Sequence, residues 1–217
     1  MAFYLIGSLS SEDEIGQYPQ TIRTKKAGYH IDSEASEKNV KQGSFPDFQP
    51  RYGLDLQTNS VETDILDRGS LDFGMVVSEK LKNILHDYNL PDHRFYPIDV
   101  YGTQLQYYWF HYITNLYQFV QFDLSEFEIF DVINQKIIEE VKFDSITELK
   151  EIRNDLVMRI GMTLRIKNIK LADSFPQYDL FDFTVPSSFT LVSDTLKNRL
   201  LNDKITGIVF NDFHSIS

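Results

Sequence analysis

Five histidines, at 30, 86, 93, 111 and 214, are the first residues that could do chemistry in this chain of 217 residues. Two imidazoles hold zinc from one helix face when they lie four residues apart. None of the five has that spacing, and the stretch from His86 to His93 crosses a helix end. The pattern therefore predicts ordinary core or surface histidines and no metal site. The chain has no cysteine, which excludes a thiol nucleophile, a thiolate metal site and a disulfide framework. Its ten glycines are scattered, without the Gly-x-Gly or Gly-Lys-Ser/Thr spacing that wraps backbone amides around a phosphate. Gly43-Ser44 and Gly69-Ser70 lack the second glycine of a serine-hydrolase elbow. No cofactor is expected.

Carboxylates are what the chain has in quantity, 32 Asp and Glu against 21 Lys and Arg, for a net charge of −11. Two of them held about 5–10 Å apart could hydrolyse a glycosidic bond, an arrangement that only the fold can assemble. Ten of them fall between Asp123 and Asp155, where Lys136, Lys142, Lys150 and Arg153 leave a net of −6. Such a run is either a solvated face or a docking face for a basic partner, because complementary charge raises association rate and specificity. Asp123, Glu126, Glu128 and Asp131 are the candidate partner-binding residues within it. The same acidity speaks against nucleic acid and anionic membrane as partners. Arg159, Arg165, Lys167 and Lys170 are too sparse for a nucleic-acid stripe.

The elements that must position these groups are legible in places. With 42% hydrophobic and 24% charged residues the composition is globular, and the length suits one domain or two small ones. The start has no basic region before its short apolar run, and nothing approaches about 18 consecutive apolar residues. A cytoplasmic protein with no membrane span is the expectation. Phe3 to Ile6 reads as a first strand. Residues 8–63 are polar and Gly-containing, with the turn-forming string Ser44-Phe45-Pro46-Asp47-Phe48-Gln49-Pro50. Residues 1–63 are expected to be an irregular segment packed on a domain spanning 64–217.

Leu81, Ile84, Leu85 and Tyr88 form a helical stripe behind Ser78, a good N-cap, and Glu79, which suits the positive end of the helix dipole. His93–Tyr101 and Leu105–Thr114 read as strands. In the second, Tyr107-Tyr108-Trp109-Phe110-His111-Tyr112 is aromatic on both faces, which fits a central core strand or, with one face open, a binding patch. Phe127–Ile133 and Lys136–Phe143 read as a hairpin. Ser145-Ile146-Thr147-Glu148 is a capping box, opening a helix that Gly161 is expected to close. Thr163–Leu171 is a strand, and a last helix from Ser193 leads to a strand at Ile205–Phe210. The fold class is α+β, with a mixed or largely antiparallel sheet and three or four short helices.

One further pattern crosses these elements. Val77–Leu85 aligns with Val192–Leu200 at an offset of 115, and six of nine positions are identical. Convergence on capping grammar would explain the serine and the acid after it. It would not demand the shared Leu-Lys-Asn, which a duplicated strand–Ser–helix–strand device would explain.

Leu71–Val100, with Val77-Ser78-Glu79-Lys80-Leu81, Leu90-Pro91 and the strand His93–Ile98, resembles immunity proteins of bacterial polymorphic toxin systems. The nearest group is the large family first described through a myxobacterial immunity domain. Phe122-Asp123-Leu124-Ser125-Glu126-Phe127, Val192-Ser193-Asp194-Thr195-Leu196 and Thr206-Gly207-Ile208-Val209-Phe210 complete the likeness, which covers roughly residues 62–212. The resemblance implies a non-enzymatic cytoplasmic protein whose partner is a cognate toxin, with a basic contact surface on the toxin to match this chain. It supplies no toxin-contacting residue and no oligomeric state. Two other classes stand beside it: a carboxylate-dependent hydrolase, and an adaptor domain without a toxin.

Overall fold

Serine-capped helices and short β-strands alternate irregularly along a computed structural model that describes residues 2–9, 11–184 and 189–216. In chain order the elements are β1 (Phe3–Ser8), α1 (Glu12–Ile15), β2 (Thr21–Arg23), β3 (Gly53–Leu56), β4 (Ile65–Leu66), β5 (Met75–Ser78) and α2 (Glu79–Leu85). There follow β6 (Asp92–Tyr101), β7 (Tyr107–Ile113), β8 (Glu126–Asp131), β9 (Lys136–Val141), α3 (Ile146–Val157) and β10 (Met162–Asn168). The last are β11 (Leu180–Phe183), β12 (Phe189–Ser193), α4 (Asp194–Asn202) and β13 (Ile208–Phe213). The fold is α+β, as expected, and mostly antiparallel, with β3 running parallel to β6. Two boundaries differ from expectation. α3 ends at Val157, short of Gly161, and the last strand starts at Ile208, after Gly207 turns the chain with φ at +75°.

The chain forms two compact units. One comprises Ile6–Thr114 and Thr195–Phe210 and holds a six-stranded sheet in the order β2-β3-β6-β7-β5-β4. β7 lies between β6 and β5, and Tyr107, Trp109, Phe110, His111 and Tyr112 are buried. The aromatic strand is therefore core. Residues 8–63 of this unit carry α1, β2 and β3, and polar bonds compensate for their few aliphatic side chains. Arg23 donates to both Glu37 oxygens at 2.7 and 2.9 Å, and buried Asp67 accepts from the Thr21 amide and hydroxyl at 2.7 and 2.9 Å. Buried polar groups stabilise only when so satisfied.

The other unit comprises Met1–Leu5, Asn115–Asp194 and Asn211–Ser217. It contains the three-stranded sheet β10-β8-β9, with α3 packed beside β10, and the hairpin β11–β12 next to the start of β1. Phe127, Phe143, Leu149, Leu156, Leu164, Phe181 and Phe183 form its core.

The offset of 115 runs deeper than the aligned nine residues. β4 pairs with β5 through Ile65↔Val77 and Leu66↔Val76, and β11 with β12 through Leu180↔Val192 and Phe181↔Leu191, the same register shifted by that offset. Ser78 Oγ donates to Asp64 at 2.7 Å across 14 residues, and Ser193 Oγ donates to Asp179 at 2.6 Å across 14. The amides of both serines donate to the carbonyls of the same aspartates at 2.8 Å. Lys82 lies 6.0 Å from the Phe95 ring and Lys197 6.0 Å from the Phe210 ring. Capping grammar asks for none of these bonds, so a single structural device is used twice.

The two copies differ in where the next strand comes from. After β5 the neighbour is β7, and Glu79 N donates to Gln106 O while Tyr108 Oη reaches the Glu79 carboxylate. After β12 the neighbour is β1, from the other end of the chain. Asp194 N donates to Ala2 O, and Tyr4 Oη reaches the Asp194 carboxylate at 3.4 Å. The first strand thus completes the second copy.

Candidate partner-docking face

The acidic segment folds as the expected hairpin, because Asp131 fixes its turn. One Asp131 oxygen accepts from the amides of Ile133 and Asn134, both at 2.9 Å, and the other accepts from Asn134 Nδ2 at 2.7 Å. This is the local turn chemistry that aspartate favours. The Asn134 side chain and amide hold the Asp131 carboxyl below the usual carboxylate range. Asp131 is buried at 5% exposure and is committed to the turn.

Side chains alternate along β8, so Glu126, Glu128 and Phe130 share one face while Phe127 turns to the core beside Phe143. β10 lies opposite and neutralises most of that face. Arg165 pairs with buried Glu128 at 3.4 Å and lies 4.1 Å over the Phe130 ring. Lys167 bridges Glu126 at 3.5 Å and Glu140 of β9 at 3.0 Å, and the Glu140 bond raises its pKa.

The four candidate residues therefore do not share one acidic face. Glu126 and Glu128 are together and partly paid for by β10, Asp131 serves the turn, and Asp123 stands exposed in the 3-10 turn at Phe122–Leu124. The basic alternation at Arg165 and Lys167, read in the sequence as one wet strand face, is the counter-charge. On β9, Glu139 and Glu140 are exposed, as are Glu151 and Asp155 on α3.

A model of the immunity protein family Imm11 matches residues 6–215. The chain belongs to the Imm11 immunity protein family. Imm11 membership covers nearly the whole sequence, including the polar segment 8–63 that the resemblance in the sequence left aside. A search of curated proteins returned no match to this chain.

Elsewhere in this Imm11 chain, the other groups able to do chemistry are structurally engaged. His93 Nδ1 lies 2.9 Å from Pro91 O, and its ring centre is 6.4 Å from that of His86. Buried His111 donates from Nε2 to Gln42 O at 3.0 Å and stacks on Trp109, and burial lowers its pKa. Among the described residues no group of three His, Asp or Glu could hold a metal. An open cavity of about 710 Å³ in the first unit is lined by Phe45, Phe48, Arg94 and Tyr96, with Asp47 its one carboxylate. The hydrolase alternative needs two there. The aromatic turn at 44–50 was visible in the sequence, but its partner Arg94, which donates to Pro46 O at 3.0 Å, was not, since 48 residues separate them.

Proposed function

We propose that this Imm11 protein is a non-enzymatic binder that neutralises a cognate toxin in the cytoplasm of the cell that makes both. The carrying observation is the family match over residues 6–215. The chemistry of the chain is compatible with it: the strongest charge concentration lies in a hairpin, and the cavity lining offers no carboxylate pair. Neutralisation then proceeds by occupancy. The immunity protein covers the toxin's active site or a surface beside it, and the acidic hairpin region, with Asp123 and Glu126 at its edge, steers a basic toxin surface to the contact.

The test is co-expression with the toxin encoded beside this gene. The expected outcome is a stoichiometric complex on purification and survival of cells that the toxin alone kills. Absence of both binding and protection would overturn the proposal. An adaptor without a toxin partner would also lack a toxin gene next to it.

A further inference from the structure

The β8–β9 turn and strand β9 expose more apolar surface than any role inside the fold explains. Val132 is 45% exposed, Ile133 67%, Ile137 52% and Ile138 46%, and every residue from 132 to 140 is exposed. The chain after α3 adds Val157 at 68%, Met158 at 84% and Ile160 at 90%. These two stretches are one surface. Val132 N donates to Gly161 O at 2.8 Å, and a Cβ on Gly161 would stand 2.5 Å from Ile133 Cδ1. Ile133 therefore lies on Gly161, next to Ile160. Scattered exposed aliphatics are ordinary, but a contiguous patch of this kind marks an interaction site.

β9 is also the edge of its sheet, since β8 is its one neighbour in the order β10-β8-β9. An edge strand presents a row of backbone donors and acceptors ready to pair with another chain. Natural edges are guarded by charge, and β9 has Lys136, Glu139 and Glu140, yet Ile137-Ile138 lies unguarded between them.

We propose that β9 is the docking edge for an extended, basic segment of the toxin, which adds as a further strand and lays apolar side chains on Ile133, Ile137, Ile138 and Ile160. The proposal rests on the toxin-binding reading above and specifies where and how that binding occurs. Charge selects this occupant. A strand laid beside Ile137-Ile138-Glu139-Glu140 meets two apolar side chains and then two carboxylates, so it is best matched by two adjacent apolar and two adjacent basic residues. A second copy of this chain fits poorly, because antiparallel pairing of β9 with itself sets glutamates against isoleucines or against each other.

The test measures affinity for the purified toxin with the full-length protein and with Ile137→Lys/Ile138→Lys. A second variant, Ile160→Lys, probes the far end of the patch. Leu201→Lys, an exposed apolar position elsewhere, is the control. Each variant is first checked for an unchanged thermal midpoint. The expected result is a loss of roughly tenfold or more for the double variant and a smaller loss for Ile160→Lys, with the control unaffected. Wild-type binding matched by both patch variants would overturn the docking edge and leave toxin binding standing. A wild-type dimer converted to monomer by the double variant, at unchanged toxin affinity, would assign the edge to a second copy and likewise overturn it. Failure of the wild type to bind the toxin would overturn the functional reading itself.

Discussion

β7 and β9 are both strands with large apolar side chains on adjacent positions, but they have opposite fates. β7 has β6 on one side and β5 on the other, Phe110 stacked 4.7 Å from Phe95, and Trp109 Nε1 donating to Phe73 O at 3.1 Å. β9 has β8 on one side, and five of its six residues are exposed. Hydrophobicity along a strand does not decide burial; the number of neighbours does. A strand covered on both faces and paired on both edges has no surface left to offer. An apolar edge strand with neither kind of cover keeps all of its binding capacity for a partner.

The largest effects expected from this contrast lie in β7. Trp109→Ala should destabilise by about 3–5 kcal/mol in urea unfolding, because it empties a core position and strands the Phe73 carbonyl. Ile137→Ala in β9 should change stability by no more than about 0.5 kcal/mol. Equal costs would break the comparison. Next in size is Asp64→Ala in the β4–β5 copy. It removes the acceptor for Ser78 Oγ at 2.7 Å and for the Thr206 amide and hydroxyl at 3.0 and 3.1 Å. Leaving such buried donors unmatched should cost about 1–3 kcal/mol, read as a lower urea midpoint.

A smaller effect should appear with pH. His111 on β7 is buried, and burial, reinforced by the nearby Arg94 charge and opposed by the Gln42 carbonyl, lowers its pKa. The unfolded chain then takes up a proton before the folded one does. Stability that is complete above the unfolded value of about 6.5 should fall as pH drops below it toward about 5. His111→Phe should flatten that part of the stability profile, measured as urea midpoint against pH. An unchanged slope would remove His111 from the pH dependence.

Local grammar was legible in the sequence and long-range pairing was not. Ser78, Ser145 and the Asn134-Gln135 turn announced α2, α3 and the β8–β9 hairpin, because capping and turn chemistry act within a few residues. The repeat was visible as nine residues, but its closure by β1 was not, since Ala2 and Asp194 meet from opposite ends of the chain. β2 and β3 escaped because each is three or four residues long and has too little alternation to read. The acidic segment was read correctly as charge and incompletely as surface. Nothing in composition tells that Glu128 will face Arg165 or that Asp131 will turn inward to its own hairpin. The exposed pairs Val132-Ile133 and Ile137-Ile138 were in plain view as adjacent aliphatics. A hydrophobic pair in a hairpin looks the same whether a neighbour covers it or not.

The central claim is that the uncovered strand, and not the covered one, meets the toxin. Amide hydrogen exchange of the protein alone and in complex with the toxin tests it directly. The account predicts new protection concentrated at residues 132–141 and 157–161, with β7 already protected and little changed. Protection confined to other regions, such as the cavity at Phe45–Gln49 and Arg94–Tyr96, with β9 exchanging as fast as before, would contradict it.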